Sequence, residues 1–115
     1  DLQLVREKSQ RMIELFAGLV DELCPDGGFS RVTTFPEESR GSQISLGHPD
    51  GYAIMQALID RGVIGDFRAP NILRFGMTPL YVSYSEIYQA VEILADIMAT
   101  GSWDQPKYHA RSAVT

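Results

Sequence analysis

Two arginines in one short stretch of the chain are the residues whose type and setting suggest chemistry. Within the segment Arg61–Tyr81, Arg68 and Arg74 each lie beside an aromatic residue, Phe67 or Phe75. An arginine inside an apolar strand needs a partner, because a buried and unpaired charge is costly. Its planar guanidinium group matches a carboxylate through two parallel hydrogen bonds. The pattern therefore predicts that a carboxylate is bound here, supplied either by a ligand or by the chain itself.

Arg74 is the sharper of the two candidates, because it lies within the apolar run Ile72–Phe75. Three interpretations remain open from the residues alone: an ion pair with Asp66 or Glu86, an arginine that faces water on an edge strand, or a ligand-binding arginine. Spacing and composition favour the structural interpretations over the ligand. Arg68 lies next to a turn, so we predict a structural or interfacial role for it.

Other kinds of site find little support in the sequence. His48 and His109 are far apart and neither has a cysteine or carboxylate at ligand spacing, so no metal site is predicted. His48 precedes a proline and is predicted to lie at the start of a helix, while His109 is predicted to be solvated. No glycine pair carries the lysine and hydroxyl residue that a phosphate-binding loop needs.

Composition excludes several further classes of protein. The 115 residues suffice for one domain, and the net charge of −5 argues against a nucleic-acid-binding surface. No apolar run approaches the roughly 18 residues of a membrane span. The single cysteine, Cys24, cannot form an internal disulfide, so we predict a semi-buried structural thiol and a reducing, cytoplasmic location. The chain begins at Asp1 without a signal-peptide pattern, so we expect the C-terminal part of a longer protein.

The elements that must position Arg74 follow from hydrophobic periodicity and turn residues. The predicted helices are 4–23, a second that opens at 48–51 and ends near Gly62, and a third that begins at Ser83 and ends at Gly101. The predicted strands are 29–34, 43–46, 63–67 and 72–76, the last two forming a hairpin about the turn 68–71. Ser83 and Glu86 form a capping-box pattern at the start of the third helix.

This order of elements predicts an α+β two-layer sandwich, in which a small, mainly antiparallel sheet packs against about three helices. We expect one domain over residues 1–101, with a leading helix in 1–24 and the sheet and its covering helices in 29–101. Residues 102–115 contain a proline and show no periodicity, so a loose C-terminal tail is predicted.

Several sequence blocks, taken together and in order, resemble the C-terminal region of bacterial kynureninase. The blocks are Arg40–Leu46, His48–Pro49, Arg61–Pro70, Leu73–Gly76 and Thr78–Tyr81. The resemblance covers roughly 40–98 well, and the order of the blocks is more specific than any one of them. Asn71 and Met77 depart from the family pattern, where an aspartate and an aromatic residue are expected.

The resemblance implies a pyridoxal-phosphate enzyme of the aspartate-aminotransferase fold type, which is a homodimer with a large cofactor domain and a small C-terminal domain. The implied reaction is hydrolysis of L-kynurenine, or 3-hydroxykynurenine, to anthranilate, or 3-hydroxyanthranilate, and L-alanine in tryptophan catabolism. The family's carboxylate-binding arginine falls on Arg74. Only Lys8 and Lys107 are present, and neither matches a cofactor-lysine motif. We therefore predict that this chain alone neither binds the cofactor nor catalyses, and that it holds no catalytic residue.

Two rival interpretations remain. The chain could be a non-catalytic α+β module that senses an amino acid or mediates dimerisation, with Arg74 on a carboxylate effector. It could also be the small domain of another pyridoxal-phosphate enzyme, such as an aminotransferase or a relative of the cysteine desulfurases. A cofactor lysine with an aromatic substrate pocket elsewhere in the protein would favour kynureninase over both.

Overall fold

The computed structural model describes residues 2–31, 43–76 and 83–110. Within these ranges the elements are α1 (Leu2–Leu23), β1 (Ser30–Arg31), β2 (Gln43–Gly47), α2 (Gly51–Asp60), β3 (Asp66–Arg68), β4 (Ile72–Gly76), α3 (Tyr84–Thr100) and α4 (Pro106–His109). The predicted helix–strand order and the α+β class are confirmed. None of the helices in the described ranges is long and apolar enough to cross a membrane.

The four strands form one antiparallel sheet in the order β1-β2-β4-β3. Its centre is the β2–β4 pair, which runs in register from Gln43 opposite Gly76 to Gly47 opposite Ile72. Strands β3 and β4 form the predicted hairpin, joined by residues 69–71. Helix α2 connects β2 to β3, and β4 lies in the sheet between these two strands, which directly follow one another in the order of strands along the chain.

One face of the sheet carries the core. Alternate residues of the two central strands are buried, namely Ile44, Leu46, Leu73 and Phe75. This period of two is what a strand with one covered face requires. The helices supply the opposing layer: the rings of Phe16 on α1 and Phe75 on β4 have centroids 4.9 Å apart. Helix and sheet therefore form the two predicted layers.

The start of α3 is fixed by the predicted capping box. The backbone N–H of Glu86 donates to Ser83 Oγ at 3.2 Å, and the N–H of Ser83 donates to Glu86 Oε1 at 2.7 Å. These two bonds satisfy donors that the first turn of a helix leaves without partners. The helix ends at Gly101, whose φ of 69° lies in the left-handed region that suits glycine. The predicted bounds of this helix are confirmed.

The strand predicted over 63–67 was placed too early, since β3 begins at Asp66. The N–H of Val63 donates to the carbonyl oxygen of Leu58 at 3.0 Å, which ties Val63 to the end of α2. The apolar pair at 63 and 64 splits accordingly: Val63 is buried, whereas Ile64 is 91% exposed. Val63 is thus bound to the end of α2, although its β-branched side chain favours a strand.

Two predicted features are only partly visible. The first strand is observed as Ser30–Arg31, and the rest of the predicted 29–34 strand beyond residue 31 lies outside the described residues, as do Arg40 and Tyr81. The prediction of a loose tail is wrong for 102–110, where α4 forms and Trp103 and Tyr108 pack against the core. A four-residue helix is too short to show periodicity in the sequence. Residues 111–115 are not described, so a loose tail stays a prediction for them alone.

Candidate carboxylate-binding site

Arg74 lies on the side of the sheet that faces away from the helices. We call this side the outer face and define it by Ser45, Asp66, Arg68, Ile72 and Arg74. The register places Arg74 directly between Ser45 of β2 and Asp66 of β3. Its neighbours Leu73 and Phe75 point into the core, so the pleat of β4 directs Arg74 outward. The Arg74 side chain is 27% exposed, which leaves it half-buried and reachable.

Asp66 binds the guanidinium group of Arg74 with both carboxylate oxygens. Arg74 Nε donates to Asp66 Oδ1 at 2.7 Å, and Arg74 Nη2 donates to Asp66 Oδ2 at 2.9 Å. These hydrogen bonds raise the pKa of Arg74 above its usual value, although partial burial opposes the rise. The arginine is therefore firmly charged. Of the two acidic partners considered from the sequence, Asp66 is the observed one, whereas Glu86 caps α3.

The guanidinium group keeps donors beyond those bound by Asp66. It has five N–H donors in a fixed plane, and Asp66 accepts two of them. No residue in the ranges 2–31, 43–76 and 83–110 accepts a hydrogen bond from Nη1. The ion pair with Asp66 and a second carboxylate are thus compatible on one arginine. The structural and ligand interpretations of Arg74 are not exclusive.

Arg68 also lies on the outer face, but the arginine that Asp66 binds is Arg74. Arg68 lies opposite Ile72 at the tip of the hairpin and is exposed. The sheet register therefore brings both arginines of the opening pattern to one surface, with Arg74 at the centre and Arg68 at the edge. A structural or interfacial role for Arg68 stays a prediction.

His48 lies elsewhere and has a different character. It is buried between β2 and α2, as expected of a residue at the start of a helix. The Asp50 N–H donates to its Nδ1 at 2.9 Å, and its Nε2 therefore carries the proton and donates to the Gly27 carbonyl oxygen at 2.8 Å. Both ring nitrogens are occupied by backbone groups. His48 is thus structural, and it joins the chain after α1 to the start of α2, a link that no local sequence pattern indicates.

The remaining candidates from the sequence are Cys24 and His109. Cys24 is buried, and burial raises the pKa of its thiol, which keeps it protonated and poorly nucleophilic. His109 is exposed and lies 3.0 Å from Asp104 Oδ1 through its Nε2. The described residues contain no group of three or more histidine, cysteine or acidic side chains arranged to hold a metal ion.

The two lysines of this chain, Lys8 and Lys107, lie on helices. Lys8 is on α1 with its Nζ 5.8 Å from the ring centroid of Tyr84. Lys107 is on α4, 3.9 Å from Asp60 Oδ2 and 4.9 Å from the ring centroid of Tyr108. Neither belongs to the sheet that carries Arg74. That this chain supplies no Schiff-base lysine stays a prediction.

The fold and the site together define an α+β domain in which a small antiparallel sheet carries a charged arginine on the face opposite the described helices. The family described as the kynureninase C-terminal domain matches residues 5–94. The chain belongs to this family. It is 45% identical to a kynureninase of Pseudomonas fluorescens and 47% identical to kynureninases of Burkholderia mallei (strain SAVP1) and Burkholderia pseudomallei (strain K96243). Each match covers 100% of this chain and 28% of the relative's length.

Proposed function

We propose that this chain is the C-terminal part of a kynureninase and that Arg74 binds the α-carboxylate of the substrate. The full enzyme would hydrolyse L-kynurenine to anthranilate and L-alanine, and its 3-hydroxy form to 3-hydroxyanthranilate and L-alanine. The observation that carries the proposal is a firmly charged arginine at the centre of the outer face, with donors left over from its bond to Asp66. Membership of the family supports the assignment to kynureninase over an aminotransferase or a cysteine desulfurase.

The role of Arg74 in this proposal is orientation. A carboxylate held by two parallel hydrogen bonds loses its freedom to rotate, which fixes the amino acid's Cα relative to the group that reacts with it. Lysine would supply only a point charge in place of the planar fork. The domain around Arg74 contributes rigidity, because β4 is hydrogen-bonded on both sides and packs Leu73 and Phe75 into the core.

The chemistry is proposed to lie in the part of the protein that this chain does not contain. Pyridoxal phosphate, when bound there, supplies the electron sink that carbon–carbon bond cleavage at an amino acid needs. The chain spans 28% of the length of its relatives, which leaves room for a separate cofactor domain. A homodimer and a cytoplasmic location are further parts of the proposal, supported by the family and by the single unpaired cysteine.

Replacement of Arg74 by Leu in the full-length protein tests the substrate role. We expect kcat/KM for L-kynurenine to fall by an amount that corresponds to roughly 2–4 kcal/mol, because a charged, bidentate contact is lost. Arg74→Lys should recover only part of the loss, since the ammonium group cannot form the fork. The matched control is Arg61→Leu, which removes another partly exposed, ion-paired arginine on a different surface.

An unchanged kcat/KM in Arg74→Leu would remove Arg74 from the site. A full-length protein that shows no kynurenine hydrolysis, and no lysine that borohydride traps with pyridoxal phosphate, would contradict the enzyme itself. That result would favour the non-catalytic amino-acid-binding module. If the proposal holds, the trapped lysine lies outside residues 1–115.

A further inference from the structure

The contact between Asp66 and Arg74 has a definite direction on the guanidinium plane. Nε and Nη2 form one edge of the plane, and both of their bonds go to the two oxygens of Asp66, at 2.7 Å and 2.9 Å. Asp66 and Arg74 are direct cross-strand partners in the β3–β4 hairpin, so the backbone holds their Cα atoms opposite each other. The carboxylate of Asp66 therefore occupies the side-on edge of Arg74.

The occupied edge restricts how a second carboxylate can approach. The three N–H donors left on the guanidinium group are two on Nη1 and one on Nη2. One donor from each of these nitrogens forms the end-on edge, which presents the second parallel fork that a carboxylate can bind. No residue in the described part of the chain accepts from Nη1. A ligand carboxylate is thus left with the end-on edge.

The ion pair of Asp66 with Arg74 is expected to contribute little to the stability of the fold. The Asp66 side chain is 58% exposed, and ion pairs at such positions contribute little to folding because water screens them. An arginine has several rotatable bonds, and a ligand that must order them loses affinity. A partner already bonded to the side-on edge removes that loss before the ligand arrives. The negative charge of Asp66 repels a ligand carboxylate. This repulsion is weakened because Asp66 lies at the opposite edge of the guanidinium plane and is exposed to water.

We infer that Asp66 is a positioning residue that holds the Arg74 guanidinium and directs the substrate's α-carboxylate to its Nη1–Nη2 edge. The inference rests on the proposed function of Arg74. It adds a specificity: the site takes a single carboxylate in one orientation, because the other edge is filled by the protein. Asp66 acts through Arg74 and does not itself touch the substrate.

Asp66→Asn in the full-length protein tests the inference. The amide keeps the size of the side chain but replaces one acceptor oxygen with an NH2 group that faces an arginine donor. We expect KM for L-kynurenine to rise about tenfold with kcat changed less than about twofold. The reason is that an Arg74 no longer held by Asp66 binds the carboxylate more weakly in the bound substrate and in the transition state alike. Asp66→Glu keeps both acceptor oxygens and should return KM to within about threefold of the parent value.

Two further measurements separate positioning from a general effect on the fold. Inhibition by L-alanine should weaken in Asp66→Asn to the same extent as KM rises, whereas inhibition by ethylamine, which lacks the carboxylate, should not change. Asp96→Asn is the matched control, because it breaks the exposed Arg61–Asp96 ion pair of 2.7 Å on another surface. It should leave KM and both inhibition constants unchanged.

The outcomes distinguish this inference from the proposal beneath it. If Arg74→Leu impairs the enzyme and Asp66→Asn leaves KM unchanged, Asp66 does not position Arg74 and only the inference fails. If Arg74→Leu has no effect, the proposed function of Arg74 fails as well. In the double variant, Asp66→Asn should add nothing to Arg74→Leu, and an independent further rise in KM would overturn a role through Arg74. Should Asp66→Asn not fold, Asp66 is a structural residue and the inference is also overturned.

Discussion

The polar cluster around His48 and the pair of Arg74 with Asp66 use similar chemistry in opposite ways. His48 is 8% exposed, and backbone groups occupy both of its ring nitrogens. Arg74 is 27% exposed, and Asp66 occupies only one edge of its guanidinium group. The first arrangement is closed to any further partner. The second is charged, held in place and still able to donate.

The difference shows how a structural polar group can be told from one that is able to bind. A buried polar group is stabilising only when its hydrogen bonds are made within the protein. His48 meets that condition, and its ring lies tilted against Phe29 and edge-on to Trp103, with centroids 4.9 Å and 6.4 Å apart. Removal of His48 should therefore disturb three segments of the chain. Arg74 meets the condition only in part, on a face that the described helices leave to solvent. The comparison predicts large effects on stability at the first cluster and large effects on activity at the second.

The largest expected effect on stability comes from His48→Ala. It leaves the Asp50 N–H and the Gly27 carbonyl oxygen without their partners and opens space between the rings of Phe29 and Trp103. Because each unsatisfied buried group costs about 1–3 kcal/mol, we expect the free energy of unfolding to fall by roughly 2–4 kcal/mol. Urea denaturation measures it. The matched control is His109→Ala, an exposed histidine, which should lose less than about 1 kcal/mol. Equal losses in His48→Ala and His109→Ala would contradict the structural role of the buried His48.

A second test displaces β4, the strand that carries Arg74, without replacing the arginine. A Cβ added at Gly65 would lie 2.8 Å from the backbone oxygen of Arg74 and 3.0 Å from Met55 Cε. The backbone atom cannot rotate away, so Gly65→Ala should reduce the free energy of unfolding by about 1–3 kcal/mol. Since β4 must shift, kcat/KM of the full-length protein should fall too.

The control for this test is Gly18→Ala. Gly18 lies inside α1, and nothing is within 4 Å of a Cβ added there. Alanine at this position should stabilise the helix by about 0.5–1 kcal/mol. A neutral Gly65→Ala beside a stabilising Gly18→Ala would mean that β4 can move without cost. The rigid placement of Arg74 would then need another explanation.

Much of this contrast could be predicted from the sequence, because it depends on local patterns. The alternation around Arg74, the turn of the hairpin and the capping box at Ser83 are all short-range signals, and they placed Arg74 on a strand with Asp66 as one of its possible partners. The bond from His48 to Gly27 could not be foreseen, since it joins residues 21 positions apart through a backbone oxygen. The same holds for α4, which is short and whose Tyr108 hydroxyl donates to Asp60 Oδ2 at 2.7 Å, 48 positions away in the chain.

The smallest expected effect is also the sharpest test of the difference between the two clusters. A double-mutant cycle with Asp66→Ala and Arg74→Ala measures the energy that couples the pair in the folded domain. We expect a coupling of about 0–1 kcal/mol in urea denaturation, because both side chains are partly exposed and the charges are screened. The coupling should decrease further at high salt. The Arg61–Asp96 pair, with a similar distance and exposure, provides a reference cycle of the same expected size.

A coupling above roughly 2 kcal/mol for Arg74 and Asp66 would be typical of a pair that the fold depends on. Arg74 would then resemble His48, and the two clusters would differ only in depth. A small coupling, together with a large loss of kcat/KM in Arg74→Leu, would mean that the pair contributes to substrate binding and not to the stability of the fold. The two bonds from Arg74 to Asp66 would then serve to hold the guanidinium group ready for a carboxylate that the domain itself does not supply.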